Sequence, residues 1–288
     1  MPLATLGALD HLVIAVRELD EAATQWQRLG FTLSPRGTHS AYIGTANHTI
    51  MFAGGDYLEL LGVLTPTVRN APTRDLLAKR EGLERIAFKT SDAKAGVAAV
   101  TAQGINDVIG PLAFSRPVAR ADGTTTEASF EVFHWPQDHS PGGIGLFACQ
   151  HLTPDAVWLP ELVAHANGAT RMRHVAIVTA RPSEAAEHLV RLTGYASAEL
   201  PDSAFEVQPS GGGGAFQFLT GSALSARYPA IPLVPDASPA LLTEISLFCS
   251  APAKVAATLG KIAICTSQTT WVVPPERANG VLLEFVAQ

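Results

Sequence analysis

Four short apolar stretches of this chain each carry, at an equivalent position, a side chain able to bind a cation, move a proton or grip an anion. They are LDHLVIAV at Leu9–Val16 with His11, ERIAF at Glu84–Phe88 with Arg85, RHVAIV at Arg173–Val178 with His174, and TEISLF at Thr243–Phe248 with Glu244. A second set, aligned on the pattern of DYLELLGV, comprises Glu59, Gly145, Gln217 and Glu284. An imidazole or a carboxylate held within apolar strands can act as a general base or as a metal ligand. Side chains alternate faces along a strand, so each set is expected to project from one face of its sheet.

The elements that must position these residues read as four βαβββ units, and long internal repeats of this kind set the fold. In unit one the strand Leu9–Val16 precedes a helix over Leu19–Leu29, whose apolar stripe is Leu19, Ala22, Ala23, Trp26 and Leu29. Asp20 and Glu21 suit a helix N-terminus, and Gly30 suits its left-handed stop. Strands are expected at Phe31–Leu33, Thr49–Ala53 and Tyr57–Val63, with Gly54-Gly55-Asp56 as a hairpin turn. Unit two has a strand at Glu84–Thr90, a helix near Ala93–Ala102, a turn at Ala121–Thr126, and strands at Phe130–Trp135 and Ile144–Gln150. The Pro/Gly-rich loop His134–Gly143 separates the last two. Thr153–Thr170 reads as a surface linker. Units three and four begin at Met172 and Leu242, have helices opened by Pro182 and Pro252, and are joined by the proline-rich connector Ser225–Pro239. The expected domains are 1–155 and 171–288, with the linker at 156–170.

Composition narrows the function. The chain has 288 residues, 47% hydrophobic and 16% charged, which suits a packed globular protein. A net charge of −6 without a basic cluster speaks against nucleic-acid or anionic-membrane partners. No apolar run is long enough for a membrane span, and MPLATLGALDH has no basic leader. Cys149, Cys249 and Cys265, sparse, in apolar runs and without CxxC spacing, read as buried free thiols of a cytoplasmic protein. Gly211–Gly214 is no phosphate cradle, because no GK[ST] follows. No GxSxG elbow is present, and the cysteines have no adjacent histidine.

Four βαβββ units in one chain resemble the vicinal oxygen chelate superfamily, and LDHLVIAV–RELDEAATQWQRLGF with the later DYLELLGV resembles its glyoxalase-like branch. The resemblance implies an α+β fold in which the modules pair into two cupped, mixed β-sheet domains, as in glyoxalases, bleomycin-resistance proteins and extradiol dioxygenases. It implies a divalent metal at the floor of a cup, held by the first and last strands of each paired unit. It also implies a small-molecule ligand, in a monomer or a homodimer.

Carried onto this chain residue by residue, the resemblance gives the two cups different palettes. The N-terminal cup has His11 and Glu59 but sets Arg85 and Gly145 opposite them, and a guanidinium opposes a cation. His39, Asn47 and His48, from the segment Gly37–Phe52, join His11 and Glu59 as candidate ligand-binding residues, with Arg85 as a carboxylate or phosphate clamp. The C-terminal cup has His174, Gln217, Glu244 and Glu284, a set suited to Mn, Fe, Ni or Zn, in which Glu244 or Glu284 is the candidate catalytic base. This set departs from extradiol dioxygenases, because Glu244 stands where a second histidine would be. Three functions stay open: a metal-dependent lyase or isomerase acting on vicinal oxygens, a metal-free binding or sequestering protein, and, as the weaker match, an extradiol-type dioxygenase.

Overall fold

A computed structural model describes residues 3–120, 123–233 and 242–287 of the chain. The first half runs β1 (Leu6–Val16), α1 (Leu19–Arg28), β2 (Gly37–Thr38), β3 (Thr45–Met51), β4 (Tyr57–Val63), α2 (Ala71–Leu77), β5 (Gly82–Thr90), α3 (Ala93–Ala102), β6 (Ile109–Ala119), β7 (Thr125–His134) and β8 (Gly145–His151). The second runs β9 (Ala169–Val178), α4 (Pro182–Thr193), β10 (Ala196–Leu200), β11 (Ala204–Gln208), β12 (Ala215–Leu219), α5 (Gly221–Arg227), β13 (Thr243–Cys249), α6 (Pro252–Leu259), β14 (Ile264–Ser267), β15 (Thr270–Val273) and β16 (Val281–Ala287).

Each half forms one mixed eight-stranded sheet, in the orders β2-β3-β4-β1-β5-β8-β7-β6 and β10-β11-β12-β9-β13-β16-β15-β14. These orders are equivalent, so the four-unit reading holds. In each sheet the first strands of paired units meet antiparallel at the centre, β1 on β5 and β9 on β13. Each is flanked by the parallel last strand of its own unit. The edge strands β2 and β6 of the first sheet approach each other, and Arg116 on β6 lies beside Gly37 on β2. The first sheet thus nearly closes on itself.

The two faces of each sheet have separate jobs. Leu12, Ile14, Ile86 and Phe88 of the first half and Val175, Ile177, Ile245 and Leu283 of the second belong to one continuous apolar core. Trp26 and Phe31 reach across it, Trp26 Nε1 donating to Asn279 Oδ1 at 2.9 Å and Phe31 packing on Phe285. The opposite face of each sheet lines its own bowl, with its own smaller cluster: Val13, Tyr57, Ala87 and Phe147 in the first, Ala176, Val178, Leu219 and Leu282 in the second. Burial of the shared core at roughly 25 cal/mol per Å² fastens the halves together.

The segment between the halves does more than the linker expected from its prolines. Ala156, Val157 and Leu159 are buried against the first bowl, because the apolar run AVWL between Pro154 and Pro160 needs cover. The following HANG turn is a staple. His165 donates from Nε2 to the Met51 carbonyl and accepts the Thr32 N–H at Nδ1, each at 3.0 Å, while Asn167 donates to the Leu29 carbonyl. Phe31–Leu33, expected as a strand, is irregular, because His165 takes the Thr32 N–H that a ladder would need. Strand β6 forms in a run broken by Pro111 and Pro117, where the sequence pattern shows no strand. Cys265, expected to be buried, is exposed, because it lies on β14 at the edge of the second sheet, whereas Cys149 and Cys249 are buried. The first residues of the expected connector, Ser225–Arg227, belong to the end of α5, and its residues 234–239 lie outside the described residues, as do Ala121 and Asp122 of the expected turn. Among the described residues no helix is long and apolar enough to cross a membrane.

Asp56 ties the halves at the turn before β4, its Oδ2 accepting the Met172 N–H at 3.0 Å. Burial, reinforced by Asp10, pushes its carboxyl up to about 7 against the opposing Met172 bond and Lys89. A raised carboxyl keeps its proton longer in the folded chain than in the unfolded one, so stability falls as pH climbs from the ordinary aspartate range toward 7. Asp56→Asn retains an acceptor for Met172 and should flatten that slope. Urea midpoints at about pH 5 and about pH 7.5 measure it; equal slopes in wild type and variant would contradict this account.

Candidate functional site

The strand registers fix which residues share a bowl. In the first sheet Leu12 pairs with Ile86, and in the second Val175 pairs with Ile245. About these centres His11 is equivalent to Arg85 and His174 to Glu244. Glu59 lies beside Val13 and Gln217 beside Ala176, whereas Ser246 stands beside Glu284 and Ala87 beside Phe147. The fourth position of the first bowl is therefore Phe147. Gly145, expected there, lies two residues earlier, beside Arg85. The Gly/Pro loop before β8 leaves no sequence landmark for that strand's register.

A second feature comes from the backbone. Between Leu9 and His11 strand β1 carries one residue more than its partner β5, and β9 has the same extra residue at Arg173. A bulge lets two consecutive side chains leave the strand on one side. The first bowl thereby receives Asp10 together with His11, and the second receives Arg173 together with His174.

In the first bowl Asp10, fully buried, accepts from His11 Nδ1 at 2.6 Å and from His151 Nε2 at 2.9 Å. Burial alone would raise the Asp10 pKa, but His151 and His11 hold it well below the usual carboxylate range. An ionised carboxylate only accepts, so the His11 proton on this side sits on Nδ1. His11 Nε2 then faces Glu59 Oε2 at 3.6 Å. Glu59 accepts from Asn47 Nδ2 at 2.7 Å. Against the upward push of burial, His11, His39, Asn47 and Arg85 lower its pKa. Tyr57 stacks on the His11 ring at 4.2 Å and Phe147 meets it edge-on at 5.1 Å.

One end of this bowl is sealed by Trp158, packed on Tyr57 and His151. The other carries positive charge. Arg85 lies over Phe147 and pairs with Glu84 at 3.3 Å, while its buried Nε has no partner among the described residues. Burial first, then Arg85 and Arg69, push His134 down to about 3. Burial, Arg116 and Arg85 lower His39 against the pull of Glu59. Three guanidiniums therefore act on the imidazoles around the mouth, and both imidazoles are driven toward their neutral forms.

The second bowl is a closed network. His174 Nε2 donates to Glu244 Oε1 at 2.9 Å, and Tyr228 OH stands 2.7 Å from that oxygen and 3.0 Å from Glu284 Oε1. Arg227 Nη1 donates to Glu244 Oε2 at 2.9 Å and to Gln217 Oε1 at 3.2 Å. Ser246 and Arg173 hold the remaining Glu284 oxygen. Burial would raise Glu244, but His174, Arg227 and Tyr228 lower it, and Tyr228 is driven far up by burial and the two carboxylates.

The two bowls answer differently to a divalent metal. Donor atoms of His174, Glu244 and Glu284 lie within 4.8 Å of one another, a spacing that suits a cation. Their charge does not, because Arg227 and Arg173 already cancel the two carboxylates. In the first bowl a guanidinium and a phenyl ring fill two of the four equivalent positions. Asp10, Cys149 and His151 also lie within 4.8 Å of one another, yet burial, Asp10 and Glu59 raise the Cys149 thiol far above its ordinary value. A surface groove of about 510 Å³ beside α1, lined by Glu21, Arg28, Glu276 and Arg277, is remote from both bowls.

The sequence profile of the Glyoxalase-like domain matches residues 9–193, more than half of the chain. The chain belongs to the glyoxalase-like domain family. The match spans the whole first bowl, from His11 to His151, and of the second bowl's set it includes only His174. A hypothetical protein from Staphylococcus aureus shares the fold over nearly the whole length, at 12% identity and a TM-score of 0.70, covering 98% of this chain and 99% of that one. A Streptomyces coelicolor methylmalonyl-CoA epimerase variant in complex with 2-nitronate-propionyl-CoA aligns at 20% identity and a TM-score of 0.38, covering 52% of this chain and 100% of that one. No curated protein matches the sequence.

Within this glyoxalase-like protein, His11, Asn47 and Glu59 converge in the first bowl, with His39 and Arg85 around them. His48 is not among them. It sits on β3 next to Asn47, so strand alternation turns it to the other face, where Nδ1 bonds the Ser34 carbonyl at 2.8 Å. His174, Gln217, Glu244 and Glu284 do converge, but around Arg227 and Tyr228. Sequence reasoning missed Asp10, Arg116, Arg227 and Tyr228; it placed His151 at the rim of the first cup or in solvent, whereas the residue is bonded to Asp10 inside the bowl. Adjacency to His11 was the one available signal for Asp10.

The Asp10 bonds carry a stability prediction. A depressed carboxyl stabilises the fold above its unfolded pKa and loses that contribution as pH falls through its folded one. Asp10→Asn should cost about 1.5–3 kcal/mol near neutral pH. The difference should shrink in acid, below the ordinary aspartate range. Denaturant titrations across that range check it; a cost that does not change with pH would contradict the assignment.

Proposed function

We propose that the first bowl binds a small anionic molecule and performs proton transfer on it without a metal, as an isomerase or lyase. The observation that carries this reading is the Asp10–His11–Glu59 line, with its 2.6 and 3.6 Å separations, inside aromatic walls and behind a mouth of arginines. Asp10 fixes the His11 proton on Nδ1, which leaves Nε2 free to take a proton from a carbon beside a carbonyl or carboxylate. The imidazolium so formed lies between two carboxylates, which stabilise it. Arg85, with its unpartnered Nε, takes the oxyanion that develops on the substrate. Arg116 faces the same space and holds an anionic group of the ligand in place. Returning the proton from His11 Nε2 to a different carbon, or with loss of a leaving group, completes isomerisation or elimination.

Tyr57, Phe147 and Phe114 supply the apolar wall of this reading, which accommodates the body of a small molecule with a few polar anchors. Aromatic walls alone would equally suit a sequestering protein. The proton-transfer reading is favoured because two bases meet where binding requires none.

A thermal-shift screen of small carboxylates and phosphate esters identifies the ligand class, and solvent deuterium exchange followed by proton NMR reports the chemistry. Arg85→Met should weaken the best ligand roughly 10- to 100-fold, the loss of one or two charge-assisted bonds. His11→Gln should abolish deuterium uptake while leaving binding within a few-fold, and a chelator should change neither. A ligand bound equally well by Arg85→Met, or exchange that persists in His11→Gln, would overturn the proposal.

A further inference from the structure

The second bowl poses a problem that the first does not. Four residues capable of binding a metal occupy four repeat-equivalent positions, three of them with donor atoms within 4.8 Å of one another. Yet every one of them is engaged by two consecutive residues of the connector or by its neighbours. Arg227 Nη1 reaches Glu244 at 2.9 Å and Gln217 at 3.2 Å, so it stands between two of the four positions. Tyr228 OH reaches the other Glu244 oxygen and Glu284, and His174 closes on Glu244.

We infer that the guanidinium of Arg227 takes the place of a divalent cation in this bowl, so that the segment Leu224–Ile231 is a built-in plug and the site holds no metal. Three observations support the inference independently. Glu244 is fully buried, and a buried carboxylate needs a cation or several donors close by, which Arg227, Tyr228 and His174 supply at 2.9, 2.7 and 2.9 Å. Arg227 and Arg173 balance Glu244 and Glu284, so an added divalent ion would bring two uncompensated charges into a buried space. Finally, Leu224, Tyr228 and Ile231 are buried in the apolar cluster of this bowl, so the plug is seated by packing as well as by charge. The corresponding connector of the first half, with α2, contributes no buried side chain to its own bowl's cluster. The same topological slot therefore fills one bowl and adds nothing to the apolar cluster of the other.

Metal uptake of the intact protein tests this without any substrate. Protein is equilibrated with Mn(II), Ni(II) or Zn(II), desalted, and analysed by plasma emission, with isothermal titration alongside. Wild type should take up no ion at the second bowl. Arg227→Met, which keeps the aliphatic stem, should bind one ion per chain, with affinity raised on the order of a thousandfold by removal of a unit charge at hydrogen-bonding distance. Adding His174→Ala to Arg227→Met should abolish that uptake. Arg227→Lys keeps the charge and should take up no ion, as in wild type. Should Arg227→Met fold poorly, Arg227→Gln, which keeps a polar partner for Glu244 without the charge, should bind the ion in its place; a folded Arg227→Gln that binds none would also overturn the inference.

Stoichiometric binding by wild type that His174→Ala removes would overturn the inference, as would a folded Arg227→Met protein that binds nothing. Either result would leave the first-bowl proposal standing, since that rests on ligand binding and deuterium exchange at His11.

Discussion

A carboxylate removed from water must be met by positive charge or by several donors, and this constraint organises both bowls. In the first bowl Asp10 is met by two imidazoles, and Glu59 by an imidazole and an amide. In the second, Glu244 and Glu284 are met by two guanidiniums, a phenol and an imidazole. An imidazole can release or accept a proton near neutral pH and a guanidinium cannot. The carboxylates of the first bowl are therefore met mainly by groups that can exchange a proton, and those of the second mainly by groups with a fixed charge.

This difference arises on one scaffold. The sheets share strand order, central antiparallel pair and even the bulge that brings two successive residues into the bowl. At the bulge one copy has Asp10 and the other Arg173, a reversal of charge at an equivalent place. At the positions equivalent to Glu244 and Glu284 the first bowl has Arg85 and Phe147. The repeated fold thus sets where side chains converge, while the residues placed there set which partners they meet. The shared core beneath, joining Trp26, Phe31, Phe88 and Phe285 across both halves, keeps the two bowls rigidly backed.

The sequence made the fold legible because each unit repeats an apolar strand, an amphipathic helix and a glycine stop. His11, Glu59, Arg85, His174, Glu244 and Glu284 were legible for the same reason: they stand at repeated positions in apolar runs. Asp10 was not, since strand alternation assigns it to the face opposite His11, and only an extra residue in the backbone brings it round. Choosing both Asn47 and His48 for one pocket set aside that same alternation, and the structure separates them. Arg227, Tyr228 and Trp158 come from segments between the repeats, whose sequences say that they are connectors but not what they cover. Arg116 lies on a strand hidden by its prolines. The local pattern therefore located the bowls, and the contents that determine their chemistry came from long-range packing.

Proton transfer in the first bowl, as proposed, depends on the tautomer of His11, which follows from an ionised Asp10 at 2.6 Å. Long-range proton–nitrogen correlation spectra of the nitrogen-15-labelled protein read that tautomer directly. Nδ1 of His11 should carry its proton across neutral pH, with a strongly downfield proton signal that disappears in Asp10→Asn. A neutral His11 protonated on Nε2, with Nδ1 unprotonated beside Asp10, would contradict the account.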